Sequence, residues 1–298
     1  MTVHRLIGSP LAAIIFLVTA GTVSAQTQKE LLDELDRTIE EAESYVSAKE
    51  LRIKTIENTL HSRGVSPERQ YRIYGELFDE YQPFNYGKAV ETLDKQMEIA
   101  MLLGDKSKLN DVYLKEAMLN TAAGEFLEAR NDLARVDTTI FTKEQEIAYC
   151  NVQQRFWFDY DENQKGADKS MLRKVAYYRE RLLALANPSS SLSRYVTVRK
   201  YIDEKNFAQA DFINRHSLSR MDPASHDYAN LAYFQARICE SLNRREEMKN
   251  WFIRSAMADI KTATKDNASL FSLADALFKD GDYARAFKYS SFSLEDAI

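Results

Sequence analysis

The sequence is poor in the residues that make turns: its 298 residues include only 9 glycines and 5 prolines. An all-β sandwich or barrel needs a turn about every 8–12 residues, so this scarcity argues against one and indicates helices. Hydrophobic residues make up 45% of the chain and charged residues 29%, which allows a large buried core and argues against disorder. We therefore expect an all-α fold.

Cysteine and histidine are scarce as well. Cys150 and Cys239 both lie in apolar helical patterns, which predicts buried thiols rather than a disulfide. His216 and His226 flank a loop, but no third ligand has helical spacing to either, so no metal site is predicted. No phosphate-binding glycine-rich loop and no hydrolase or zinc-protease motif occurs. The sequence predicts a binding module without a cofactor, not an enzyme.

Residues 1–25 have the layout of a secretory signal peptide. Basic Arg5 precedes an apolar run over residues 11–18, and small residues end at Ala25, after which we expect cleavage. A membrane anchor is the alternative, although the run is shorter than the roughly 20 residues that a span needs. Loss of Arg5 leaves 39 basic against 45 acidic residues in the mature chain. The signal-peptide layout predicts export to the periplasm, and the mildly acidic balance predicts no nucleic-acid partner.

Residues 26–64 carry a single apolar stripe. Its members recur with a seven-residue period that is broken only at Lys49, which predicts one long amphipathic helix. The stripe is formed by Leu32, Leu35, Ile39, Ala42, Val46, Ile53, Ile56 and Leu60. We expect this helix to pack lengthwise on the rest of the chain. A coiled coil with a second copy, giving a homodimer, is the alternative.

Residues 65–298 read as an array of helical hairpins. The segment Gly281-Asp282-Tyr283 predicts a tight turn, and Ala286, three residues after the tyrosine, lets two helices approach closely. Related turns precede Ala89, Ala129, Ala210 and Met248. Their spacing leaves room for one divergent hairpin, with helices over residues 143–160 and 168–186. The pattern resembles the tetratricopeptide repeat and predicts an α-solenoid of five to six hairpins.

The C-terminal end of the array lacks the cap that such arrays require. A terminal repeat needs a capping helix with a polar outer face, yet the last helix carries Phe287, Phe292 and Leu294 and no helix follows it. We therefore expect the array to be truncated at its C-terminus.

Residues 255–298 resemble a particular family more closely than they resemble a generic repeat. The similarity lies in Asn267-Ala268-Ser269-Leu270, Gly281-Asp282 and Ser293-Leu294-Glu295-Asp296-Ala297. The family consists of Bacteroidetes regulators with a periplasmic repeat region, one transmembrane helix and a cytoplasmic regulatory part. This resemblance implies the periplasmic sensor region of a regulator anchored in the inner membrane. A soluble periplasmic scaffold for envelope assembly and a glycan-binding outer-membrane component are the alternatives.

Repeat register singles out one candidate binding surface. Tyr195 and Tyr233 each lie four residues before an arginine, Arg199 and Arg237, in equivalent first helices. First helices line the concave side of such arrays, so these four residues are predicted to face a groove that takes a protein or peptide partner. Arginine forks suit the carboxylates of an extended peptide. The alternative is that both arginines pair with acids on their own helices.

Overall fold

The computed structural model describes residues 27–164 and 169–296, and the predicted signal peptide lies outside this range. In the described residues there are fourteen α-helices, one short 3-10 turn and no strand, which confirms the all-α prediction. The helices are α1 Gln28–Glu40, α2 Ala42–Leu60, α3 Pro67–Tyr81, α4 Tyr86–Leu103, α5 Lys106–Ala123, α6 Phe126–Arg135, α7 Lys143–Asn163, α8 Lys169–Leu185, α9 Ser191–Asp203, α10 Phe207–Leu218, α11 His226–Ser241, α12 Arg245–Lys261, α13 Ala268–Asp280 and α14 Tyr283–Asp296.

Helix starts are set by local side-chain capping. Ser66 accepts a hydrogen bond from the backbone N–H of Arg69, and Pro67 occupies the first helical position of α3. Thr142 and Gln145 form a reciprocal capping box at the start of α7. These contacts satisfy backbone donors that no helix can pair internally, so the caps fix where each hairpin begins.

From α3 onward the helices pair into six antiparallel hairpins. Four hairpins turn through a residue with positive φ that lies five positions before the small anchor of the second helix: Gly124, Lys205, Asn243 and Gly281. In each turn the next N–H bonds back to the carbonyl five residues earlier, as in Asp282 N–H to Leu277 O at 3.0 Å. This is the Schellman geometry, which explains why glycine recurs there.

The small anchor residues of the second helices are buried where the hairpins close. Ala89, Ala129 and Ala210 are 0% exposed, and Met248 and Ala286 are 7% and 5% exposed. Small or flexible side chains at these positions let the two helices of a hairpin approach closely. The repeat pattern read from the sequence thus corresponds to buried contacts in the fold.

The predicted single helix over residues 26–64 is instead two helices, α1 and α2, which meet at Glu41. The stripe is divided because its two parts pack against different ends of the array. Leu32 and Leu35 of α1 join a cluster with α11–α14, whereas Ile53 of α2 joins a cluster with α3–α5. The N-terminal helices pack on their own chain, as expected. Because they contact both ends of the array, the array closes towards a ring.

Ion pairs hold α1 in register on the last hairpin. The Arg285 guanidinium donates to Asp33 Oδ1 at 2.6 Å and to Asp36 Oδ2 at 3.1 Å. Lys288 Nζ lies 3.0 Å from Asp36 Oδ1. Because Asp33 and Asp36 are one helical turn apart, these contacts set both the position and the rotation of α1 on α14.

We predict that Leu35→Ala lowers the free energy of unfolding by about 2–4 kcal/mol, because Leu35 is 0% exposed in the C-terminal cluster. The control is Leu51→Ala on α2, which is 66% exposed and should change stability by less than about 0.5 kcal/mol. Urea denaturation followed by circular dichroism measures both. A loss confined to dimer dissociation, with no change in monomer stability, would instead support the coiled-coil alternative.

Candidate ligand-binding cavity

The two predicted groove tyrosines pack against phenylalanines of neighbouring helices. The rings of Tyr195 and Phe234 have centroids 5.0 Å apart, and those of Tyr233 and Phe252 are 5.9 Å apart. Both tyrosines are half-buried at the edges of hydrophobic clusters. Their rings therefore contribute to inter-hairpin packing.

The two predicted groove arginines have partners on their own helices. Arg199 Nε donates to Asp203 Oδ1 at 3.1 Å, and its guanidinium lies 4.2 Å from the ring centre of Phe158. Arg237 lies 2.6 Å from Glu240 Oε2 and is about half exposed. Both arginines thus form the pairs with acids on their own helices that the sequence analysis gave as the alternative to a groove. Arg237 also lines a cavity of about 360 Å³ with Phe252 and Phe271.

Closure of the array brings its first hairpin against the loop that precedes its last hairpin. We call this junction the seam: it joins α2 and the α3–α4 turn (82–85) to the α12–α13 loop (262–267). The backbone N–H of Lys265 donates to Pro83 O across it at 2.8 Å. Residues more than 180 positions apart in sequence are therefore in direct contact there.

A cavity of about 1090 Å³ lies at the seam and opens to the concave side. Its walls come from α2, the α3–α4 turn, the end of α5, the α10–α11 loop and the α12–α13 loop. They include cationic Lys49, Arg52, Lys261 and Lys265, anionic Glu76, Asp79, Glu80 and Asp266, and the neutral or aromatic Gln82, Phe84, Asn85, Tyr86, His226, Thr262, Thr264 and Asn267. Equal numbers of fixed charges of each sign suit a polar ligand without net charge.

Lys49 is the most buried cation of this wall, with 4% of its surface exposed. Its Nζ donates to Thr262 O at 3.4 Å and lies 3.6 Å from Glu80 Oε2 and 5.7 Å from the ring centre of Phe84. Burial lowers the pKa of Lys49, and the Glu80 carboxylate opposes that shift. The Lys49 ammonium group thus has polar partners on both sides of the seam.

A second group of titratable side chains lies beside the cavity. Asp259, in the last turn of α12, is 6% exposed, and burial together with Asp266 raises its pKa to about 8. His226 Nδ1 lies 3.5 Å from Thr264 Oγ1, and burial lowers the pKa of this histidine. Titratable groups with shifted pKa values beside a cavity are typical of functional sites, and they also occur in structural ion-pair networks.

The seam cavity continues along the concave wall into a groove of about 760 Å³ between α3, α5 and α7. The two share Glu76, Asp79 and Gln82 in their walls. At the base of the groove Lys115 Nζ lies 3.4 Å from Gln96 Oε1 and 4.9 Å from the ring centre of Phe78. We call these two adjoining spaces, whose walls carry many charged side chains, the polar channel.

Lys115 differs from the other lysines of the channel in its surroundings. In the described residues no carboxylate oxygen lies within 4.0 Å of its Nζ; burial lowers its pKa, and the more distant carboxylates of Asp79 and Asp111 oppose that shift. Gly75 inside α3 lies beside Lys115: a Cβ there would lie 3.0 Å from Gln96 Nε2, which is tight, and 3.7 Å from Lys115 Nζ, which is an ordinary contact. A helix-interior glycine costs about 1 kcal/mol relative to alanine, so this space is retained against helix propensity.

Sequence reasoning did not identify these residues as a site. Two of them are unusual in the sequence: Lys49 is the one break in the apolar stripe, and Gly75 is a glycine inside a helical pattern. Lys115, His226 and Asp259 gave no signal in the sequence, because their surroundings depend on how the helices pack.

The scan against protein families matched one model, described as the SusR N-terminal TPR domain, over residues 39–298. The chain belongs to this family. TPR denotes the tetratricopeptide repeat, so the match confirms both the helical-repeat fold and the resemblance to Bacteroidetes regulators. A search of curated proteins found no match. Domains of this kind are generally non-enzymatic modules that mediate interactions.

Among the residues that the structure describes, no helix is both long and apolar enough to cross a membrane. The described residues also contain no cluster of three or more potential metal ligands. Cys150 and Cys239 are free and buried, which confirms the prediction of buried thiols.

We predict that Asp259→Asn changes how stability depends on pH. Because the folded-state pKa is raised, the native protein binds more protons than the unfolded chain between about pH 4 and pH 8, so wild-type stability falls as pH rises through that window. The variant should therefore exceed the wild type by more than about 1 kcal/mol at pH 8.5 and match it near pH 4.

The control for this prediction is Asp275→Asn, whose carboxylate is 54% exposed and paired with Lys279. Urea titrations at pH 4, 6 and 8.5 measure the three proteins. Parallel curves for the wild type and Asp259→Asn would contradict a raised pKa at this position.

Proposed function

We propose that this chain is the exported, ligand-binding sensor region of a membrane-anchored regulator, and that its ligand binds in the polar channel formed by the seam cavity and the groove beside it. The observation that carries the proposal is the closure of the array around this channel, where walls from both ends of the chain meet. A ligand there can contact distant parts of the domain at once. Family membership supports a regulator, and the signal-peptide pattern supports export to the periplasm.

Binding rather than catalysis accounts best for the channel. Its charged groups are largely engaged with one another, as Lys49 and Arg52 are with Glu80. The Thr264 hydroxyl lies 3.5 Å from His226 Nδ1, at the outer limit of a hydrogen bond, and also contacts the Thr262 hydroxyl at 2.9 Å, so it is held as part of a structural hydrogen-bond chain. Fixed donors and acceptors of both signs suit recognition of a polar small molecule or peptide.

Lys115 supplies a specific reason to place ligand contacts in the groove. An ammonium group can donate three hydrogen bonds, whereas the described residues give Lys115 one, to Gln96. Burying such a group without an ion-pair partner costs stability. A group that is unfavourable for folding and faces a cavity is best explained by what it binds.

We predict that Lys115→Met leaves stability unchanged or raises it by about 1 kcal/mol, because it removes a buried charge while keeping the side-chain length. The same change should abolish ligand binding. Lys95→Met, at an exposed lysine of α4, is the control and should alter neither property. Differential scanning fluorimetry of residues 27–298 against a panel of polar small molecules and short peptides, followed by calorimetry of the hits, measures both effects.

The exposed apolar face of the last hairpin supports the proposal that this region belongs to a longer polypeptide. Phe271, Phe278, Tyr283 and Phe287 are 60–76% exposed and line an apolar groove of about 580 Å³. One hairpin earlier, the residue equivalent to Phe287 is Lys249, which is 5% exposed. By continuity of the repeat, the occupant of this groove is a further helix of the same polypeptide, placed as the first helix of a next hairpin.

We predict that Phe287→Glu changes the stability of residues 27–298 by less than about 0.5 kcal/mol, because the ring is 76% exposed. In the full-length gene product the same change should make α13 and α14 sensitive to protease, because it would break the contact with the further helix. Leu102→Glu, at an equally exposed site on α4, is the control. Self-association of residues 27–298 that Phe287→Glu abolishes would assign the face to a dimer instead.

The cellular test locates the domain in the full-length protein. Protease added to spheroplasts should remove this region while the remainder stays with the inner membrane, because a sensor of this kind lies outside and its effector inside. Release of the intact protein with the periplasmic fraction would support the soluble scaffold. Retention of the region in the cytoplasm would contradict export.

A further inference from the structure

The hydrophobic core is interrupted at the seam. One cluster joins α1 to α11–α14, and another joins α2 to α3–α5. None of the clusters in the described residues includes side chains from both the α3–α4 turn and the α12–α13 loop. Closure of the ring at this point therefore rests on polar contacts rather than on apolar burial.

Two hydrogen bonds connect the two sides of the seam directly. The Lys265 N–H donates to Pro83 O at 2.8 Å, and Lys49 Nζ donates to Thr262 O at 3.4 Å. Thr262 is the C-terminal cap of α12, where carbonyl groups carry partial negative charge and favour a cation. A junction held by polar contacts, with few buried apolar contacts, is of the kind that opens locally without global unfolding.

Lys49 is the side chain that connects the two sides. It is carried by α2, it is paired with Glu80 of α3, and it reaches the carboxyl end of α12. It occupies the one position of the apolar stripe where a hydrophobic residue is expected. An apolar side chain there could fill the space but could not form the charged bond to Thr262 O.

We propose that Lys49 is a latch that sets the equilibrium between a closed and an open ring, and that occupancy of the seam cavity acts on this equilibrium. The regulatory part of the inference rests on the proposed function, because it takes the cavity as the ligand site. A ligand that contacts both walls binds the closed form better and shifts the population towards it. Glu41, where α1 and α2 meet, is the joint about which α2 and α3 move relative to the C-terminal hairpins.

The test measures the latch in the unliganded protein, so that its failure is distinct from a failure to find a ligand. The Lys265 amide reports closure directly, because its hydrogen bond crosses the seam. Lys49→Met should raise the exchange rate of that amide by about 3- to 10-fold, the effect of losing one hydrogen bond of ordinary strength, because the Lys49 contact is long at 3.4 Å. Amides within α5 and α11 should keep their wild-type rates.

The matched control is Lys54→Met, an exposed lysine on the same helix. Lys49→Arg keeps a cationic donor and should restore most of the protection of the Lys265 amide. Unchanged exchange at Lys265 in Lys49→Met would overturn the proposal, and so would a uniform increase at all amides, because that indicates general destabilisation.

A distance measurement provides a second readout. Spin labels at Lys88→Cys and Lys279→Cys, both exposed positions on opposite sides of the seam, should give a longer or second distance population in Lys49→Met than in the wild type. The native cysteines are buried, so they compete little for the label. Identical distance distributions in the two proteins would contradict an open state.

Discussion

Packing of α1 against the last hairpins determines the rest of the architecture. Leu31 and Leu35 are 0% exposed there, and the Asp33 and Asp36 carboxylates fix the register through Arg285. Because α1 is placed at the C-terminal end of the array, α2 must lead the chain back to the first hairpin. The α3–α4 turn is thereby brought opposite the α12–α13 loop, and the concave side becomes an enclosed channel rather than an open groove.

Four titratable side chains with shifted pKa values lie on or beside this channel. They are Lys49, Lys115, His226 and Asp259, and burial shifts the pKa of each towards its neutral form. An apolar replacement would be expected to cost less at several of these positions. Elsewhere, buried polar side chains such as Asn214 and Gln235 are hydrogen-bonded between helices, whereas those beside the channel lie where a ligand could reach them.

The sequence was sufficient for the parts of the fold that local rules determine. A turn residue five positions before a small anchor specifies a hairpin by itself, and this holds even where Lys205 or Asn243 replaces glycine. Tyr195 and Arg199 were placed on the right kind of helix by the same register. The repeat register identifies equivalent positions, but it does not predict their neighbours. The contacts of Arg199 with Asp203 and Phe158 are therefore visible only in the structure.

The cavity could not be predicted, because it depends on contact between residues near position 83 and residues near position 265. The break in the apolar stripe at Lys49 was visible in the sequence, but the reason for it, a contact with the end of α12, is visible only in the structure. A polar seam between separate apolar cores also suits a sensor energetically. Each hydrogen bond that closes it contributes about 1 kcal/mol, and a tenfold shift in population requires about 1.4 kcal/mol. A small ligand that adds two or three hydrogen bonds in the closed form can therefore change the state of the ring, which the same bonds could not do across a continuous hydrophobic core.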